Sequence, residues 1–266
     1  VGWPRFGLRE SGRRNAENAF VIIGEALSSN PVVDFSWPLP FAKIRWTSAG
    51  VGPEDGSMLS PTRYRERFVA DRAAAHAVLD EALFCHVGVV VDGRPHVLPT
   101  LHARVDDTLY VHGSSAARIL ATARSGPLSV CVTVSLLDGL VIARSAFHHS
   151  LNYRSVVVHG AARLVTDAEE KSRMLDALVD RVGTARSAQC RPPTAKELAA
   201  TSVLAVDLAA ETTDVALKVR TGGPLDDEAD LELGHWAGVV PVRLVAGSPE
   251  PACDLPIPTG LAPSLR

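Results

Sequence analysis

The pair Asp92-Gly93 constrains this chain most. It stands between a short β-branched run, Cys85–Val91 (CHVGVVV), and a second extended run, Arg94–His102 (RPHVLPTLH). Asp-Gly tolerates positive φ at both central turn positions, so it predicts a two-residue hairpin. Pro95 and Pro99 cannot donate to a ladder and restrict the returning strand to an edge or an irregular path. Asp106-Asp107 makes the next turn, and Thr108–His112 the third strand. Leu128–Leu137 reads as a long apolar strand, Asp138-Gly139 as a second hairpin turn, and Leu140–Ala143 as the start of the return. Tyr153–Val165 is a further strand with Gly160 as a bulge, and Thr201–Val219 is a strand with an interruption. Turn signals at roughly 8–12-residue spacing describe a barrel-type, mainly β fold with flanking helices. They do not describe the βαβ alternation of a doubly wound sheet.

The helices fit between these strands. Asp71–Leu83 has apolar positions at helical spacing and Asp71 as its N-cap. Ser114–Ser125 fits a short helix with Ser at the cap and Gly126-Pro127 as its stop. Asp167–Val182 is amphipathic, with Met174, Leu175, Leu178 and Val179 as its stripe. Thr194–Ala200 follows Pro192-Pro193 as a last short helix.

The ends differ. Residues 1–57 are aperiodic and rich in Pro, Trp and turn residues. They read as a poorly ordered extension, with the domain spanning 58–246 from Met58, or else as an arm packed on that domain. From Gly247 the chain is Pro-rich and reads as an irregular tail. GVVPVRLV before it allows one more short strand.

Composition removes several classes of function. A net charge of −3 gives no electrostatic basis for nucleic-acid binding. No apolar run reaches the roughly 18 residues of a membrane helix. The four cysteines are scattered and form no CxxC, so neither a disulfide framework nor a zinc site is expected. With no signal-peptide pattern at the N-terminus, the expected compartment is the cytoplasm. There is no GxGxxG, no P-loop and no GxSxG.

Two polar clusters remain. His112-Gly113-Ser114-Ser115 places hydroxyls and free N–H groups where a strand meets a helix, with Arg118 one turn on. This is either a phosphate cradle or an ordinary Ser cap beside a solvated Arg. Arg154 and Ser155 open a strand and must face opposite sides. Either one meets a ligand, or Arg154 pairs with a carboxylate. His148 and His149 are adjacent and cannot chelate one ion together. No metal site is expected.

The helix leading to VGVVVDGRPHVLPT, the strand LYVHGSSAARIL, the run SVCVTVSLLDGLVIARSAFHHSLNYRSVVVHGAARLV and the helix beginning Asp-Ala-Glu-Glu-Lys carry a family likeness. Over this span the chain resembles the pyridoxamine 5′-phosphate oxidase-like, FMN-binding split-barrel proteins, and among them the nitroimidazole-resistance branch. The resemblance implies a six-stranded split β-barrel that forms a homodimer with FMN at its interface. It implies that Pro99, Thr100 and Leu101 lie along the flavin. Val111, His112, Gly113, Ser114, Ser115 and Arg118 would take the phosphate side, and Ser155, with Arg154 beside it, the isoalloxazine or ribityl region. The oxidases proper have Gln at the Ser155 position and Ser-Arg-Lys where this chain has Ser-Ser-Ala-Ala-Arg. That departure removes the reason to expect vitamin B6 chemistry. The implied function is an FMN-dependent oxidoreductase that passes hydride to or from a small-molecule substrate. The alternatives are a non-catalytic flavin- or haem-binding protein and a deazaflavin-dependent reductase.

Overall fold

The computed structural model describes residues 67–69 and 71–258. The readings of residues 1–57 and of a start at Met58 lie outside these residues. In chain order the strands are β1 (Phe68–Val69), β2 (Phe84–Val91), β3 (Arg94–Val105), β4 (Thr108–Ser114), β5 (Leu128–Ile142), β6 (Ser150–Leu164), β7 (Thr201–Asp207), β8 (Asp214–Arg220) and β9 (Gly238–Pro241). The helices are α1 (Arg72–Glu81), α2 (Arg118–Thr122), α3 (Ala168–Val182) and α4 (Ala195–Ala200). Beyond β9, residues 242–258 form neither helix nor strand.

All the strand pairings are antiparallel. Following them from β6 through β7, β4, β3, β2 and β5 leads back to β6, so six strands close a ring. β1–β8 extends from β6, and β9 from β5. The ring is split because its two longest strands change partners. β6 pairs with β8 over Tyr153–His159 and with β7 over Ala162–Leu164. β5 pairs with β2 over Val130–Thr133 and with β9 over Gly139–Ile142. The mainly β split barrel expected from the sequence is thus the fold observed.

Alternation fills the barrel. Val87, Val89, Leu109, Val111, Val130, Val132, Val156, Val158 and Leu204 point inward, and α1 adds Ala75, Val78 and Leu79 to the same core. Each such aliphatic side chain contributes roughly 1.5–3 kcal/mol on burial. A second cluster, Tyr110, Val165, Met174, Val203 and Ala205, lies on the outer face of β4 and β7 beneath α3.

The Asp92-Gly93 hairpin forms as read, with φ of 51° and 72°. Counting from its closing pair, Val91–Arg94, Pro95 and Pro99 fall opposite Val90 and His86. At those alternate positions an N–H would point away from β2. The stretch also lies outside the β4 ladder, which begins at His102. Both prolines therefore break no ladder bond.

Three local expectations are corrected. Asp138-Gly139 is not a hairpin turn: β5 runs through it, with a register shift against β6 between Leu137 and Gly139. Glycine is needed there because β9 passes closely. A Cβ would lie 3.0 Å from Val239 Cγ1 and 3.2 Å from the Val240 carbonyl oxygen. Gly160 is not a bulge, since the β5–β6 register is continuous through it. It sits where β6 changes partners, and a Cβ would meet Thr213 Oγ1 at 2.9 Å. Ser114 ends β4 instead of capping a helix, and α2 starts only at Arg118.

Gly139→Ala is expected to lower stability by about 1–3 kcal/mol through overpacking against β9. Gly93→Ala, whose Cβ would meet nothing, is expected to act only through its positive φ. Thermal melts of both, with hydrogen exchange across Gly238–Pro241, distinguish these effects: only the first should loosen β9.

Candidate functional site

Strand alternation sorts the candidate residues. Cys85, Val87 and Val89 of β2 point into the barrel, so Phe84 and His86 point out. The register carries that outward face across the sheet. Leu101 lies opposite Phe84, Pro99 opposite His86, His86 opposite Thr133, and Thr133 opposite Val157. Ser135, Ser155 and Lys218 follow in one row. On β4, Val111 points inward, so His112 shares the outer face with Leu101. Pro99, Leu101, His112 and Ser155 are therefore brought to one face. Thr100, Val111 and Arg154 lie on the other. The outer face is open: Phe84 is 54% and Val97 63% exposed. Phe84 and His86 stack edge to face, with ring centroids 5.6 Å apart.

The rim at the end of β4 is fixed by backbone. Ser115 N–H donates to the Ala200 carbonyl at 2.8 Å, Ala117 N–H to that of Ser114 at 2.9 Å, and Thr100 Oγ1 to that of His112 at 3.1 Å. Ser114 is exposed and Ser115 half-buried. Gly113 leaves room for the returning helix, because a Cβ there would come within 2.7 Å of Leu120 Cδ1.

Arg154 is held by two carboxylates. Its Nε and Nη2 donate to Asp138 at 3.0 and 2.8 Å, and Nη1 and Nη2 to Glu81 at 2.5 and 2.9 Å. These bonds raise its pKa and tie α1, the β5 register shift and β6 together. Of the two alternatives for the Arg154–Ser155 pair, Ser155 is the one on the outer face.

Beside His112 the outer face descends into a cavity of about 870 Å³. Leu101 and His112 line one side, and Leu175, Leu178, Val179 and Val182 of α3 the other. Cys190, Pro192 and Pro193 close it, with Asp176, Arg191 and Glu197 among the polar groups. The α3 wall is pinned along its length. Asp167 caps it, Tyr110 Oη donates to Glu170 at 3.1 Å, Lys171 Nζ donates to the Leu198 carbonyl at 2.5 Å, and Arg181 donates to the carbonyls of Asp80 and Ala82.

Two histidines are buried in different ways. His102 is 0% exposed, and its Nε2–H donates to the Leu79 carbonyl at 2.8 Å, satisfying an orphan oxygen of α1's last turn. Its Nδ1 has no partner. His112 makes no side-chain hydrogen bond among the described residues, and only its Nδ1 is sealed from solvent. Burial lowers both pKa values, against a partial offset from Leu79 for His102. Both rings are thus held neutral.

A family model described as pyridoxamine 5′-phosphate oxidase matches residues 71–215. The chain belongs to this family. A flavocytochrome from Azotobacter vinelandii is 40% identical, covering 75% of this chain and 92% of its own, with a TM-score of 0.69. An FAD and haem binding protein from Mycobacterium smegmatis is 36% identical, covering 74% and 94%, with a TM-score of 0.66. A 5-nitroimidazole antibiotic resistance type of protein from Bacteroides thetaiotaomicron is 20% identical over 56% of this chain and 86% of its own. Its TM-score is 0.46. No curated protein matches the chain.

As a member of the pyridoxamine 5′-phosphate oxidase family, the chain has site features its sequence did not single out. Phe84, His86 and Ser135 belong to the outer face, and the alternation in CHVGVVV was the available signal. The α3 side of the cavity had no local signal, because Leu175 and Leu178 read as ordinary core. His148, Asp227 and Asp230 also come together, with candidate ligand atoms within 4.8 Å of one another. His148 and Asp230 are half-buried and Asp227 is exposed, and surface acidic groups are common without an ion. Among the described residues no helix is long and apolar enough to cross a membrane.

The lowered histidine pKa values set a pH dependence. Below the ordinary value of about 6.5 the unfolded chain binds protons that the folded chain refuses. The stability held above that pH is lost as pH falls toward the depressed folded values. The melting temperature is expected to fall between about pH 7 and about pH 5, and His102→Gln, which keeps a donor for Leu79, to flatten that slope. An unchanged slope in the variant would place the acid sensitivity elsewhere.

Proposed function

We propose that the chain is a flavin-dependent oxidoreductase, with FMN laid along the outer face. The observation that carries this reading is that Pro99, Leu101, His112 and Ser155, distant in sequence, share one exposed face that ends at the Ser114–Ser115 rim. The fold and both relatives above 30% identity support it, one being a flavocytochrome and the other an FAD and haem binding protein. In this reading Ser155 contacts the ring or ribityl region. The Pro99–Leu101 backbone runs along the flavin, while Thr100, on the inner face, donates to the His112 carbonyl and holds the end of β4. Gly113 shapes the phosphate end, where the Ser114 and Ser115 hydroxyls and the backbone at Arg118 meet the phosphate; Val111 is buried in the barrel core and the Ser115 N–H is taken by the Ala200 carbonyl, so neither contributes a contact. Arg154 works from the opposite side, holding β6 in position. Bound flavin supplies the redox chemistry. The chain binds it, orients it and excludes water.

A face with Phe84 and Val97 exposed needs a cover, and the reading assigns it to a second copy of the chain, giving a homodimer with a small-molecule substrate admitted over the ring. A reducing cytoplasm fits the four free cysteines, among them buried Cys85, whose thiol is pushed up to about 12 by burial.

A second reading, FAD in place of FMN together with haem, is favoured by the relative 36% identical to this chain, which is described as binding both.

Purified full-length protein should show flavin absorbance, and mass spectrometry of the released cofactor distinguishes FMN, FAD and a deazaflavin. Ser155→Ala and Ser114→Ala should each weaken flavin binding about fivefold, the scale of one ~1 kcal/mol hydrogen bond. Light scattering should give a dimer. A colourless protein, or unchanged affinity in both variants, would overturn the assignment. Reduction of bound flavin by NADH or NADPH and its reoxidation by an acceptor would distinguish an enzyme from a carrier.

A further inference from the structure

We propose that His112 is the residue that would ligate the iron of a haem held in the cavity between α3 and the outer face of β3–β4. The proposal rests on the reading that the chain binds haem as well as flavin, and it assigns this chain's own residues to that group.

The cavity fits on three counts. Its volume, about 870 Å³, lies in the range of cofactor pockets, roughly 300–1,000 Å³. Its walls are aliphatic on both sides, with Leu101 facing Leu175, Leu178, Val179 and Val182. That suits a flat apolar macrocycle. No Phe, Tyr or Trp lines it, so nothing offers an adenine ring a stacking partner. Finally, it is lined by one imidazole, that of His112, which carries no side-chain hydrogen bond among the described residues. His112 has its Nδ1 sealed and its Nε2 unsealed, so Nε2 is the nitrogen available to a metal.

The rim predicts what holds the group. Arg191 is ion-paired with Glu197 at 2.6 Å, and Asp176 adds a second acid. One cation against two carboxylates gives no net attraction to a ligand's own carboxylates. Affinity must then come from the aliphatic walls and the bond to His112. Leu101 and His112 also belong to the outer face, so the haem and flavin sites adjoin there.

The test uses the purified full-length chain titrated with hemin, read by the Soret band and by electron paramagnetic resonance, with flavin content and melting temperature measured in parallel. The wild type should bind hemin with the signature of a histidine-ligated iron. His112→Gly should weaken binding at least tenfold and lose that signature, and added imidazole should restore it. Val179→Trp, which fills the cavity without touching the ring, should block binding while the variant still melts cooperatively. His148→Ala, an imidazole outside the cavity, should change nothing. A wild type that binds no hemin would overturn the haem reading, and this assignment with it, while leaving the flavin reading intact. Hemin bound with an unchanged spectrum and affinity in His112→Gly, or bound normally in Val179→Trp, would overturn this assignment alone.

Discussion

The β5–β6 pairing holds the rest of the structure together. Each strand is fifteen residues long, and they pair from Leu128–Ala162 to Val141–Ser150. A pair of that length is longer than any one neighbour, so each strand ends with one partner and continues with another. The hand-over of β6 at Gly160 closes the barrel through β7 and leaves β8 outside. The hand-over of β5 lets β9 in beside Gly139. Both glycines are there because a neighbouring strand or loop occupies the space a side chain would take.

That geometry also divides labour between the two faces. Inward residues are nearly all aliphatic and supply burial. α3 covers the outer side of β4, β7 and the Leu101 end of β3, and residues 242–244 flank Phe84, His86 and Ser135, while Phe84 and Val97 stay exposed. The cavity forms where α3's cover ends, at Leu101 and His112. Charges are placed to position the walls: Arg154 joins α1 to both long strands, and Arg181 and His102 satisfy the end of α1. Arg154 is about one-third exposed, so its value lies in bidentate geometry more than in raw Coulomb energy.

Much of this was legible in order along the chain. The Asp92-Gly93 hairpin, the Asp71 and Asp167 caps and the α3 stripe follow from local chemistry, and local chemistry is what propensity and capping describe. The errors came where a local signal had a distant cause. Asp138-Gly139 has turn composition, yet its glycine answers to β9, a hundred residues later. Ser114 has cap chemistry, yet the β4–β7 ladder claims it through Thr201.

By itself, the sequence determined the class of fold, its first hairpin and the residue types at the rim. Period-two alternation and turn chemistry are local and survive without knowledge of neighbours. Only the tertiary structure decided which side of β6 Ser155 takes, that Arg154 is bound to Glu81 and Asp138, and that α3 and His112 enclose a cavity. Each of those depends on register between strands and helices far apart in the chain. One residue of slip would exchange the two faces.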